Sequence, residues 1–448
     1  SAPLTAYVDS VNTDPLVASL PKPGKIVSET PSVHGYTCWT LSNGARVFYR
    51  QTDFNDSEVL LSAVSKGGSS KVEDKDLANL KFFDDAMSAT GVGSFTATEL
   101  MKKLAGKQVS VSPVLGYLAD NLQGSATPKD LRTLFELIYL RFQEPANDPD
   151  GFNNAVAFKR SELENADKNP QLAWSDSLNA TLNGHNPRQM RLTLADLDKV
   201  TYEGIKQIYR ERYASAGDFD FFFTGAFNLD SLRTFTEQYV ASLPGVKKRE
   251  TWVDRKQYHV TGVHDNRFTR QMETPQSFIG QIWSGKQELT LKNNLVAQTL
   301  GQVLTARYLE SIREKGGMAY TVQAMGGITR TVDDRYTLII VCPVKPEKAD
   351  SALLLMRQDL DDIARNGVTA EELDKVKKYE LKTYDDSQRL NAYWQNAAKE
   401  TVEWENDPVT GFKETVEAIT SADVQAFVRD VVLKQGNCVT VTMLPATK

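Results

Sequence analysis

The chain repeats itself at long range, and that repeat limits what it can fold into. Phe158-Lys-Arg-Ser-Glu-Leu-Glu-Asn-Ala-Asp167 and Val376-Lys-Lys-Tyr-Glu-Leu-Lys-Thr-Tyr-Asp385 align Glu162 with Glu380, Leu163 with Leu381 and Asp167 with Asp385. Leu172 and Leu390 continue the match, and all four pairs stand 218 positions apart. A second pair of segments is offset by 219: Val200-Thr-Tyr-Glu-Gly-Ile205, running on to Arg210 and Gly217, and Ile419-Thr-Ser-Ala-Asp-Val424, running on to Arg429 and Gly436. Two separate segments agreeing within one residue point to one domain present twice. The period far exceeds the ~20–50 residues of solenoid repeats, so it is a domain duplication and not an array.

Both copies predict the same local structure. Thr201 and Thr420 are placed to cap helices, since a threonine oxygen accepts one of the unsatisfied N–H groups of the first turn. Apolar residues then recur at helical spacing: Ile205, Ile208 and Tyr209 in one copy, Val424, Phe427 and Val428 in the other. A glycine, Gly217 or Gly436, is expected to end each helix. Strands follow at Phe219–Thr224 and Cys438–Met443, and others precede at Val59–Ser65 and Phe278–Trp283. Long helices are expected over Lys129–Phe142 and Asn293–Lys315. Strands and helices mix without strict alternation. The expected fold class is therefore α+β: two similar domains in tandem, each a mixed or antiparallel sheet covered by helices. Leu243-Pro-Gly-Val-Lys-Lys-Arg-Glu-Thr251 reads as the joint, which gives domains at 26–245 and 250–448. Asn43-Gly44, between strand-forming residues, predicts a hairpin at the front of the first.

A chain of 448 residues exceeds one ordinary core, and 41% hydrophobic with 25% charged residues is the balance of a globular protein. The net charge of −6, without a Lys/Arg-rich run, argues against a nucleic-acid partner. Cys38, Cys342 and Cys438 are too scattered for a disulfide framework or a thiolate metal site and read as small apolar residues. No apolar run reaches the ~20 residues of a membrane span, and no signal peptide is evident. The chain begins at Ser1 without methionine. Its opening, to about Lys25, is rich in Pro, Ser, Asp and Thr and reads as a linker.

Three features resemble the pitrilysin/insulinase-type zinc peptidases and their mitochondrial processing relatives. One is the Leu41-Ser-Asn43-Gly44-Ala-Arg-Val47 hairpin, and another is the duplication itself. The most specific is Tyr308-Leu-Glu-Ser-Ile-Arg313-Glu-Lys-Gly-Gly-Met-Ala-Tyr320, which looks like the family's Arg…Tyr element near the start of its last domain. Gly91-Val-Gly-Ser-Phe-Thr-Ala-Thr-Glu99 and Leu104-Ala-Gly-Lys-Gln-Val-Ser-Val-Ser-Pro113 resemble the long, two-half bacterial members. The resemblance covers about residues 25–448. It implies a four-domain enzyme in which the amino-terminal half holds zinc and the carboxy-terminal half closes over it. It also implies that Arg313 and Tyr320 bind substrate: a guanidinium is a fixed donor fork suited to peptide carbonyls, and a phenol can donate to a developing oxyanion.

The zinc chemistry of that family needs His-x-x-Glu-His on one helix, with both imidazoles on one face. His34, His185, His259 and His264 include no pair at that spacing. The corresponding early helix, Asp76-Leu-Ala-Asn79-Leu-Lys-Phe-Phe-Asp84-Asp85, offers only oxygen ligands, which suit zinc poorly. No metal is expected in this chain, and by itself it is expected to be inactive. Gly316-Gly317 and Gly326-Gly327 are followed by no phosphate-loop residues and read as turn or close-approach glycines. Gly184-His185-Asn186-Pro187-Arg188 reads as a loop, and no nucleophile elbow is present.

The expected function is the non-catalytic, substrate-binding and chamber-closing half of a zinc metalloendopeptidase. Its partners would be an amino-terminal zinc-bearing half and peptide substrates, which the active half would take up by edge-strand pairing. The alternative is a stand-alone, non-catalytic scaffold or binding protein of the same fold. The long bacterial members suggest the periplasm.

Overall fold

The computed structural model describes residues 15–246 and 248–447. The first 14 residues, most of the expected linker, lie outside the described residues. Residues 15–25 are no free tether: Leu16 and Val17 are buried, and the Val17 N–H donates to the Glu136 carboxylate at 2.8 Å.

Among the described residues twelve strands form two sheets. In chain order they are β1 Ile26–Pro31, β2 Thr37–Leu41, β3 Arg46–Gln51, β4 Val59–Lys66, β5 Val109–Leu115, β6 Ala119–Ala126 and β7 Asp220–Gly225. They continue with β8 Val263–Arg270, β9 Ser277–Lys286, β10 Gln323–Arg330, β11 Asp334–Val344 and β12 Cys438–Pro445. The first sheet runs β1-β2-β3-β7-β4-β6-β5 and the second β10-β11-β9-β12-β8. Each is antiparallel apart from one parallel pair, β3 with β7 and β8 with β12. The order β3-β7-β4-β6-β5 in the first recurs as β8-β12-β9-β11-β10 in the second, so the duplication read from sequence is a duplication of topology. The first sheet adds β1 and β2 beyond β3.

The chain forms two compact units, and their membership differs from the linear division into 26–245 and 250–448. One comprises the residues up to Leu163 with Leu192–Arg255 and Gln388–Val402; the other comprises Glu164–Arg191, Lys256–Ser387 and Glu403 onward. Each sheet is therefore covered on one face by its own repeat and on the other by a helix from the opposite repeat. In the first unit, β7 is Asp-Phe-Phe-Phe-Thr-Gly, buried along its whole length. Phe221 and Phe223 join the large core with Phe135, while Phe222 faces the other way, with Tyr36, Phe48 and Ala398. In the second unit, Val439, Val441 and Met443 of β12 pack under helix Pro170–Leu182, whose Trp174 donates from Nε1 to the Val441 carbonyl at 3.2 Å. Two-sided cover leaves each of these central strands buried on both faces.

The predicted local signals are realised with two changes. Thr201 accepts from the Gly204 N–H and Thr420 from that of Asp423, as caps should. Asn43 Oδ1 accepts from Ala45 N–H at 3.0 Å, and Gly44 takes φ +92° in the hairpin turn. All three cysteines are buried. Gly217, however, ends no helix. The helix stops at Arg212, and Gly217 sits where an added Cβ would lie 2.4 Å from the Asn43 carbonyl oxygen and 2.7 Å from the Gly245 Cα. It is there for close approach. The expected Asn293–Lys315 helix is α only over Leu291–Tyr308 and widens to a π-helical turn over Leu309–Lys315.

Candidate substrate-binding site

The site grows from the end of helix Leu291–Tyr308. Thr290 caps its start by accepting from Asn293 N–H at 3.0 Å. Its body lies hard against β10: a Cβ on Gly301 would come 2.6 Å from Gly326 N, and one on Gly326 would come 2.0 Å from the Ala297 carbonyl oxygen. Gly326 is thus a close-approach glycine, and its neighbour is this helix. At the far end Tyr308 is fully buried and donates to the Met356 carbonyl at 3.1 Å.

The π-helical turn over Leu309–Lys315 follows. Ile312 is fully buried, while Arg313 is exposed. Wide turns of this kind often mark functional positions. The chain reverses in a Schellman-like closure: Gly317 takes φ +55°, its N–H donates to Arg313 O at 3.2 Å, and Met318 N–H donates to Ile312 O at 2.8 Å. Lys345 N–H, at the end of β11, donates to Met318 O at 2.8 Å, and Val322 is buried at the entrance to β10. Pinned on both sides, the short span between them lifts Tyr320 into solvent, 91% exposed.

Arg313 and Tyr320 line the same cavity, of about 540 Å3, with Gln276, Gly317, Val344 and Lys345. Among the described residues neither of their side chains has a hydrogen-bond or ionic partner. A guanidinium and a phenol, both unsatisfied and both facing one cavity, can donate to carbonyl or carboxylate oxygens of a guest. Sequence reasoning named these two and not the other residues that line the cavity. Thr274–Gln276 and Pro343–Pro346 come from the ends of β9 and β11, and only their prolines mark them, as strand ends.

The remaining candidates do not assemble. His34 lies 5.9 Å from the Trp394 ring, centroid to centroid. His185, at φ +57°, closes a helix end through its N–H to Ala180 O at 2.9 Å. Burial pushes the His259 imidazole below its usual value, and His264 Nε2 lies 2.8 Å from the Thr261 carbonyl. The early helix, Leu77–Ala89, fails as a zinc site on the chemistry of its donors. Asn79 Oδ1 accepts from Thr201 N–H at 3.0 Å, Asp84 from Leu115 N–H at 3.4 Å, and Asp85 pairs with Lys159 at 3.4 Å. Burial raises the Asp84 carboxyl, against the pull of the Leu115 N–H. Among the described residues no group of three or more His, Cys, Asp or Glu side chains is placed to hold a metal ion. No helix among them is long and apolar enough to cross a membrane.

Comparison with known proteins bears on the fold. Residues 199–379 match the family model described as Peptidase M16 inactive domain. The probable zinc protease PqqL of Escherichia coli strain K12 is 20% identical over 449 aligned positions, which take in 99% of this chain and 48% of that protein. The crystal structure of the periplasmic protease PqqL from Escherichia coli superposes with a TM-score of 0.83 at 20% identity, over 99% of this chain and 49% of that one. The first half of the same protease, solved separately, gives 0.69 at 16% identity over 93% of each chain. The ferredoxin protease FusC, a mutant in complex with Arabidopsis ferredoxin, gives 0.81 at 16% identity over 100% of this chain and 49% of that one. The better fit to the whole of PqqL than to its first half makes the second half the fold counterpart. This chain spans less than half the length of the curated relatives it matches.

The fold is therefore that of the solved M16-type structures on which it superposes, without the zinc motif. Within it, residues 199–379 carry the M16 inactive domain, and the chain as a whole is homologous to the PqqL zinc proteases.

Proposed function

We propose that this chain is the non-catalytic, substrate-binding and chamber-closing half of a zinc metalloendopeptidase acting on peptides. The observation that carries the reading is the joint presentation of Arg313 and Tyr320, unpaired and exposed, on one cavity. An exposed tyrosine and an arginine without a carboxylate gain nothing for the fold. Their placement suits a guest that arrives from outside. The match to an inactive peptidase domain and the coverage of about half of PqqL support the same reading. Zinc would belong to an amino-terminal half, fused or separate, because the donors of this chain do not fit it. The periplasm follows as the proposed compartment from the periplasmic PqqL.

A quenched-peptide cleavage assay tests this. The chain is measured alone and mixed with a zinc-bearing amino-terminal half, with and without a chelator. The expected result is silence alone and chelator-sensitive cleavage in the mixture, slowed on the order of 10–1,000-fold by Arg313→Ala or Tyr320→Phe, as for the loss of one transition-state donor. Chelator-insensitive cleavage by the chain alone refutes the proposal. Silence in the mixture, with the partner half folded and zinc-loaded, moves the reading to a non-catalytic scaffold.

A further inference from the structure

The two copies of the repeated sheet differ at one edge. In the first, β3 has the parallel partner β7 on one side and the antiparallel partner β2 on the other. Among the described residues its counterpart β8 has only β12, and the sheet stops there. β8 is eight residues long and alternates exposed and half-buried positions, with Val263 77% exposed.

The hydrogen-bond register states which groups are left over. Cys438 N–H donates to Gly262 O at 3.0 Å, and Ala446 N–H donates to Arg270 O at 2.8 Å. With Cys438 opposite Val263 in a parallel ladder, the N–H and C=O groups of the even-numbered residues point toward β12. Those of Val263, Asp265, Arg267 and Thr269 point away from it. Among the described residues only the Thr269 carbonyl is met, by the Arg270 guanidinium at 3.0 Å. Such an edge is a template for another strand.

Charge decides which strand. Charged residues on an edge ordinarily prevent self-pairing by setting like against like. Here the outcome depends on register. An antiparallel pair of two β8 strands centred on Asp265 sets Asp265 against itself, and one centred on Arg267 sets Arg267 against itself. Centred on Asn266, it sets Asp265 of each copy opposite Arg267 of the other, and Val263 opposite Thr269. That register also gives the most outward-facing pairs, four. Arg267 already meets Asp350 at 2.5 Å, and a guanidinium has donors enough for a second carboxylate.

We propose that β8 is a self-pairing edge through which two copies of this chain associate antiparallel about Asn266, with reciprocal Asp265–Arg267 pairs fixing the register. The inference is independent of the peptidase reading, because it uses neither Arg313 nor Tyr320.

Sedimentation velocity of the 448-residue chain, from micromolar to sub-millimolar concentration, tests it. The expected result is a concentration-dependent doubling of the 49.9 kDa mass. Asp265→Arg alone and Arg267→Asp alone are each expected to abolish the doubling. The double variant Asp265→Arg/Arg267→Asp restores opposite charges across the axis and is expected to recover it. All these positions are exposed, so circular dichroism should show the variants folded. A chain that stays monomeric throughout the range overturns the proposal. So does a dimer that survives either single reversal, or one that the double reversal does not rescue.

Discussion

Removing Trp174 should damage a sheet that belongs to the other repeat. Trp174 stands on helix Pro170–Leu182 but packs on Val439, Val441 and Met443 of β12, with its ring centroid 5.7 Å from that of Phe278. Only 7% of the residue is exposed. Its ring rests on Gly280, where an added Cβ would lie 2.8 Å from Cζ2 and as close to Leu178 Cδ2. Truncating a buried Trp or Phe to Ala costs about 3–5 kcal/mol, with the higher values where the site cannot collapse. The lost bond to the Val441 carbonyl adds roughly 1 kcal/mol. For Trp174→Ala we expect about 4 kcal/mol, or about three decades in the opening equilibrium. Hydrogen exchange read by mass spectrometry localises the effect, since protection reports the free energy of local opening. Peptides covering 277–286 and 438–445 should lose protection, while those covering 59–66 and 220–225 should keep it. Loss concentrated in the latter pair, or unchanged protection in the former, would refute the assignment of this helix to the second unit.

Other outcomes follow from single contacts. Gly326→Ala should destabilise by roughly 1–3 kcal/mol or more, because the new Cβ meets the Ala297 backbone, which cannot move aside; a thermal melt checks it. Arg313→Ala and Tyr320→Phe should leave the same melt within about 0.5 kcal/mol, being exposed and unpaired, which separates their role in binding from any role in folding. Burial pushes the Asp120 carboxyl up to about 7, against the pull of Arg212 and the Ser65 hydroxyl. The unfolded chain releases that proton near 3.8, so between about pH 4 and 7 it binds fewer protons than the folded chain. This group's contribution to stability should therefore fall as pH rises through that window and level off above it. Urea unfolding at pH 5 and pH 8, compared with Asp120→Asn, should show the slope in wild type and its loss in the variant.

The sequence exposed the parts of this fold that depend on neighbours in the chain. Threonine caps, the Asn43-Gly44 turn and the Phe221–Phe223 run are short-range physics, and each sits where the residues predict. Failures came where partners are distant. Gly217 looked like a helix stop because glycine past an apolar run usually is one, yet it is needed for the passage of Asn43 and Gly245. The π-helical turn around Arg313 leaves no mark in the apolar periodicity, since Tyr308 and Ile312 keep the α-helical spacing. Likewise the spacing of seven between Arg313 and Tyr320 could be read, but the cavity they share could not. Its other walls are strand ends whose arrival there is decided by sheet order.

The exchange of helices between repeats explains why the duplicated division was legible and still incomplete. Similarity between copies reports descent, and descent assigns Trp174 to the first repeat. Compactness reports burial, and burial assigns it to the second unit. Both statements hold at once if each sheet needs a second layer that its own repeat does not provide. β7 and β12 are buried on both faces, so a single repeat cut at its sequence boundary would leave one face of its sheet in water. A fragment ending near Pro244 loses residues 391–402 and uncovers Tyr36, Phe48 and Phe222. It should aggregate or bind a hydrophobic dye, whereas the same fragment supplied with a peptide of residues 388–404 should regain solubility. Equal solubility with and without the peptide would mean that the two faces of the sheet are not both committed to burial, and strand composition would then no longer account for the exchange of helices.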